Sequence, residues 1–214
     1  MSNLTHIALH HFGGVKNDRH ASTKNFTLEQ ISNAHRDRWP NFPSLLSLPD
    51  GKQNFIGYSF VIRPDGTYFQ SRPLGAETAA QRYWNENTVS ICCAGNHLVE
   101  QPTREQISTV RNLMLTLLEG RPDKMNLKVV QGTVFDLHLS RIFPHRYFQP
   151  DTECNCLPDS WGRDIITGYY QEQIGTLTKL VQDLILKIKV LLEKRKLGKI
   201  KVGSIDTRNY QCNL

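Results

Sequence analysis

Two widely separated groups of residues in this 214-residue chain have the types and spacing to hold a metal ion. His145 precedes Cys154 in the stretch Phe143-Pro-His-Arg-Tyr-Phe-Gln-Pro-Asp-Thr-Glu-Cys154, and Cys156 follows two positions on. Far upstream, a strand-like run from Leu4 ends in the adjacent pair His10 and His11. Imidazole and thiolate together suit zinc, a borderline-soft ion whose filled d shell imposes no geometry. Two histidines and one cysteine make three protein ligands and leave the fourth tetrahedral position open. That vacancy separates a catalytic zinc site from a structural one, which is closed by four ligands. Such a centre polarises a carbonyl and acidifies water, so the chemistry it predicts is hydrolysis. Taken singly the signals are weak, because a lone strand histidine is more often a core or surface residue.

Rigid elements must carry these ligands. Leu4 to His11 reads as a buried strand. Thr27-Leu-Glu-Gln30 has the capping-box form and opens a helix to about Arg38, which Pro40 stops. Residues 40–54 hold three prolines and Gly51 and read as an irregular loop. Tyr58–Arg63 and Thr67–Arg72 flank Pro64-Asp-Gly66, a hairpin signal. Residues 74–86 look mixed. Val89 to Ala94 is a second buried strand, and Thr103-Arg-Glu-Gln106 is a second capping box leading a helix to about Glu119. Residues 127–130 read as a strand, 133–140 as a short helix, and 143–156 as the metal loop. Strands interleaved with helices predict an α/β fold, a central mixed β-sheet flanked by helices.

Beyond Trp161 the pattern changes. Ile174, Leu177, Val181, Leu184, Ile188 and Leu191 step by three and four, which is the a/d spacing of a coiled coil. Leu180, Ile185 and Leu192 widen the stripe. Two outcomes stay open: a long helix packed on its own domain, or a homo-oligomer formed through it. From 171 to 214 there are nine Lys/Arg against four acids, so most of the net charge of +6 lies there. A basic C-terminus is either a solvated face or a dock for an anionic wall or membrane surface. The expected domains are therefore 1–168 catalytic, 169–197 a long amphipathic helix, and 198–214 a basic tail.

A hydrophobic content of 39% with 21% charged residues excludes bulk disorder. Five cysteines are an odd number without a disulfide spacing, and the adjacent Cys92 and Cys93 in an apolar run read as core thiols. Lys and Arg cluster at one end without interleaved aromatics, so nucleic acid is not an expected partner. No apolar run reaches the roughly 20 residues of a membrane span. The N-terminus lacks the basic-then-apolar layout of a signal peptide. The expected location is cytoplasmic.

Four segments then occur in one order: Ile7-Ala-Leu-His10-His11-Phe-Gly-Gly; Ile56-Gly-Tyr58 through Gly66 to Arg72-Pro73; Asn87-Thr-Val-Ser-Ile-Cys-Cys-Ala-Gly-Asn96; and His145 through Cys154. In that order they resemble the zinc-dependent N-acetylmuramoyl-L-alanine amidases of type 2, which include phage endolysins and peptidoglycan recognition proteins. The helix Ile31–Trp39 and the Thr103-led helix fit as well. The resemblance implies Zn2+ as cofactor and bacterial peptidoglycan as substrate. Its reaction is hydrolysis, by zinc-activated water, of the amide between N-acetylmuramic acid and L-alanine.

The resemblance also places residues. His10 and His145 match two zinc ligands. Thr152-Glu-Cys154 fits the Thr-x-Cys of the third, but Asn155-Cys156-Leu-Pro158 stands where relatives have Pro-Gly, so Cys156 remains a rival to Cys154. Tyr58 and Thr152 match catalytic positions that steady the intermediate. Where some relatives carry a glutamate base, this chain has Cys92, which cannot act so. Ser59 replaces a usual histidine, and a histidine expected near 79–84 is missing. Arg72 and Arg146 are candidates for binding a stem-peptide carboxylate. His11 is expected on the opposite strand face in a structural role, and His35 beneath the site. A phage or prophage endolysin, released to the wall from the host cytoplasm, is the expected context. The alternatives are a non-catalytic peptidoglycan-binding module of the same fold and an amidase of wall recycling.

Overall fold

Side-chain alternation sorts the strands into two faces. Ile7 and Leu9, Phe60 and Ile62, and Val89, Ile91 and Cys93 share one core cluster. Val61, Cys92 and Ala94 belong to a second. Strands buried on both faces need helices on both, which is the layered α/β solution. The computed structural model describes residues 2–13, 18–150, 152, 154 and 160–196.

The elements in chain order are β1 (Asn3–Leu4), β2 (His6–His11), α1 (Leu28–Arg38), β3 (Phe60–Ile62), β4 (Tyr68–Gln70), β5 (Thr88–Cys93), α2 (Arg104–Leu118), β6 (Val134–Phe135), β7 (Ile142–Pro144), α3 (His145–Phe148) and α4 (Trp161–Lys196). Five strands form a mixed sheet in the order β4-β3-β5-β2-β7, antiparallel only between β3 and β4. The expected α/β architecture with a long C-terminal helix is present. Both capping boxes form, at Thr27 and at Thr103. Leu28 and Ile31 of α1 join Val61 and Cys92 in one cluster. Val110, Leu113, Met114 and Leu117 of α2 cover the other face.

The chain divides into two units, Met1–Gly168 and Tyr169–Leu214. The sheet lies in the first. There the opening of α4 is seated against the core, with Ile166 fully buried. A side chain at Gly162 would strike Leu9 and Ile142, so only glycine permits that approach. In the second unit, Ile174, Leu177, Val181, Leu184, Ile188 and Leu191 are exposed. Among the described residues, no helix is long and apolar enough to cross a membrane. The basic tail 198–214 lies outside the described residues.

The structure corrects three local readings. Residues 127–130 form an isolated bridge between Leu74 and Val129 rather than a strand. Residues 133–140 hold the two-residue β6 and a 3₁₀ turn at Leu139–Arg141 instead of a helix. Thr133, Val134 and Phe135 are β-branched or aromatic and favour extended backbone. The stretch read as a metal loop begins as β7 and turns directly into α3. Pro144 has no N–H to give a ladder, which is tolerable because β7 is the sheet edge.

Candidate active site

Backbone register brings the distant candidates together. His10 lies near the end of β2, opposite Cys92 of β5. On the other side of β2, Leu9 pairs with Pro144, so His145 enters beside His10 as the first residue of α3. Their rings stand 4.4 Å apart between centroids. The sulfur of Cys154 lies 3.8 Å from Nδ1 of His10. Donor atoms of His10, His145 and Cys154 all fall within 4.8 Å of one another. Cys156 lies outside the described residues.

Zinc fits this set. Bonds of about 2.0 Å to nitrogen and 2.3 Å to sulfur, meeting at a tetrahedral angle, separate N from S by about 3.5 Å. The observed 3.8 Å needs little adjustment. Burial, followed by the imidazoles of His145, His11 and His35, holds the pKa of His10 well below the usual histidine range. It is therefore neutral, the state a ligand requires.

Tyr58 packs its ring 5.0 Å from that of His10. Burial first, and then Cys92 and Cys154, raise its phenol well above the ordinary value, so the hydroxyl keeps its proton. Gly57 before it is obligatory, since a Cβ there would stand 2.6 Å from the carbonyl oxygen of Ala79. His35 supports the same segment from α1, its Nδ1 accepting the Gly57 N–H at 2.8 Å. Burial, then Arg38 and Arg72, lower His35 to about 3. Cys92, the position of the absent glutamate, is a fully buried thiol pushed well above its usual pKa, chiefly by burial.

Thr152 both lines the cleft and shapes the ligand turn. Its Oγ1 accepts the N–H of Cys154 at 3.3 Å. His11 faces away, where its Nδ1 accepts the backbone N–H of His97 at 2.9 Å and the two rings stack. Arg72 is 3% exposed, and its guanidinium donates to the carbonyls of Ile56, Glu77 and Phe42. That placement ties the side chain into the scaffold. Arg146 sits on α3 and is not among the residues lining the cleft.

The cleft itself is about 600 Å³ and is lined by residues of α1, Tyr58, the segment 77–82 with Asn85, His145, Gln149 and Thr152. Arg38 and Arg82 face it with a single acid, Glu77. Sequence reading missed Arg38, Gln81 and Asn85. Asn85 was detectable in kind, as a residue whose Oδ1 can fold a turn: it accepts the N–H groups of Ala80 and Gln81.

The sequence profile of the N-acetylmuramoyl-L-alanine amidases matches residues 1–156. The chain belongs to this family. Two solved amidases from Clostridium intestinale share its fold. One is the N-acetylmuramoyl-L-alanine amidase LysC, with TM-score 0.53 and 23% identity over 78% of this chain and 87% of that one. The other is the endolysine amidase LysCS, with TM-score 0.53 and 23% identity over 78% and 85%. Drosophila PGRP-LB is more distant, with TM-score 0.47 and 19% identity over 72% and 75%. No curated protein matches by sequence. In this amidase fold, the segments that carried the resemblance are β2, the Tyr58–β4 hairpin, β5 and the β7–α3 turn with Cys154.

Proposed function

We propose that the chain is a zinc-dependent amidase that hydrolyses the bond between N-acetylmuramic acid and L-alanine in peptidoglycan. One observation carries the reading: donor atoms of His10, His145 and Cys154 within 4.8 Å, beside a cleft lined by His145, Tyr58 and Thr152. Zinc held by these residues would supply a Lewis acid that polarises the scissile carbonyl and acidifies water. Tyr58, still protonated at neutral pH, donates a hydrogen bond to the oxygen that gains charge at the tetrahedral stage. Thr152 offers its hydroxyl at the same wall while its oxygen holds the Cys154 turn. Arg38 and Arg82 favour a substrate with carboxylates, such as a stem peptide.

Release of new L-alanine amino groups from purified sacculi, without new reducing sugar ends, tests the reaction. Zinc-replete protein that binds sacculi and frees no amine is instead a binding module. Preference for soluble muropeptides over sacculi marks a recycling enzyme. The endolysin context belongs to the proposal and is supported by the description of the Clostridium amidase LysCS as an endolysine.

Self-association through α4 is also proposed. Ile174, Val181 and Ile188 alternate with Leu177, Leu184 and Leu191. β-Branched residues at a and leucine at d favour two parallel strands.

A further inference from the structure

His10 has a second ring nitrogen, and its partner is Gln81. The two Nε2 atoms lie 2.7 Å apart. Gln81 is fully buried and tied down on several sides. Its Oε1 accepts the Thr78 hydroxyl at 3.2 Å, its Nε2 also donates to Ser90 Oγ, and its backbone N–H goes to Asn85 Oδ1 at 2.8 Å. Ser90 is fixed in turn, because its N–H donates to Ser59 Oγ at 3.1 Å. The side chain thus spans from the cleft wall to β5 and ends on a candidate ligand.

In this arrangement the amide nitrogen donates to His10 Nε2. A neutral imidazole carries one N–H, so the proton then belongs on Nδ1. Nδ1 is also the atom 3.8 Å from the Cys154 sulfur, where a metal must bind and no proton can stay. Binding there needs the proton on Nε2 and an acceptor opposite it. A half-turn of the Gln81 amide puts Oε1 in that place. The other contacts survive the turn: Thr78 Oγ1 can accept from the amide nitrogen, and the Ser90 hydroxyl can donate to Oε1, since hydroxyls do both.

We propose that Gln81 is the positioning residue of the metal centre, its amide turning as the ion enters so that His10 presents a bare Nδ1. The inference rests on the zinc reading above. The exchange balances: one proton leaves Nδ1 for solvent, one joins Nε2 from solvent, and His10 stays neutral. The reverse arrangement, with His10 bound through Nε2, would break the contact to Gln81.

The test uses the full chain with zinc alone as ligand. Long-range nitrogen–proton NMR reads the His10 tautomer, and competition with a chromophoric chelator reads zinc affinity. Wild-type protein should show Nδ1–H without zinc and Nε2–H with it. Gln81→Leu, which removes the partner, should weaken zinc binding about 10- to 100-fold. Gln81→Glu, whose carboxylate only accepts, should recover affinity to within a few-fold of wild type and show Nε2–H before zinc is added. An unchanged wild-type tautomer on loading overturns the proposal, and this measurement needs no variant to fold. Equal affinity in the wild type and Gln81→Leu overturns it too, as does a Gln81→Glu no better than leucine. A wild-type protein that takes up no zinc overturns the zinc reading itself, which the tautomer of the zinc-free chain does not depend on.

Discussion

The sulfur of Cys154 accepts the backbone N–H of His11 at 3.3 Å, across 143 residues of sequence. The donor belongs to β2, the strand that carries His10, so two of the three candidate ligands are anchored to the same strand. The same sulfur also lies 3.7 Å from the His11 carbonyl oxygen, so two backbone contacts from that strand fix its place beside His10. Cys154→Ser is therefore expected to lose zinc retention and hydrolysis together, while Cys156→Ser keeps both. Metal content after dialysis reads the outcome, and the opposite pattern would transfer the ligand role to Cys156.

Tyr58→Phe removes one hydroxyl and leaves the ring that packs against His10 and His35. Amide hydrolysis should fall about 100- to 1000-fold, the range for losing one oxyanion donor. Zinc content should not change. A full rate in the variant would make Tyr58 a packing residue only.

Arg72→Met leaves three carbonyls without their donor in a site that is 3% exposed. Only the bond to Ile56 is fully buried and carries the whole penalty of about 1–3 kcal/mol, while the two part-buried carbonyls can regain water, so a loss of about 2–4 kcal/mol is expected. Urea denaturation measures it. KM for peptidoglycan should hold; a large rise in KM with stability intact would return Arg72 to the substrate site.

Acid should weaken the fold through two histidines. Burial first, then His11, lower the pKa of His97 from 6.5 to about 4, and His35 falls from 6.5 to about 3. Below 6.5 the unfolded chain takes up protons that these folded rings refuse. Their contribution is thus complete above that pH and drains away as pH drops toward 4 and then 3. Each ring adds a slope of up to about 1.4 kcal/mol per pH unit inside its window. Denaturation midpoints at pH 7, 5.5 and 4.5 should decline, and His97→Phe should flatten the decline above pH 4 by one ring's share. Identical slopes in the two proteins would refute this assignment for His97.

The a and d positions of α4 predict a concentration-dependent dimer in sedimentation. Leu177→Lys combined with Leu184→Lys, both at exposed positions, should make the chain monomeric without lowering its melting temperature. A wild-type chain already monomeric at high micromolar concentration would end the idea.

Much of the fold was legible because its signals are local. The capping boxes at Thr27 and Thr103 and the turn around Gly66 each lie within a few residues of what they specify. His10, His145 and Cys154 were legible through ordered segments as well as residue type. What escaped was non-local. β7 is three residues long and owes its existence to pairing with β2. Gln81 is an unremarkable residue in a segment of mixed pattern, and only folding brings it to His10, 71 positions away. Arg72 reads in sequence as a candidate for a stem-peptide carboxylate, since sequence cannot show three carbonyls converging on one guanidinium.

β2 is hydrogen-bonded on both sides, to β5 and to β7. His145 follows the three-residue edge strand β7, so it can part from His10 by a local peeling of that edge while β2 stays paired with β5, an opening that costs less than global unfolding. An ion held by His10, His145 and Cys154 would tie that edge to β2, so calorimetry of the zinc-loaded chain should show a higher melting temperature than that of the metal-free chain.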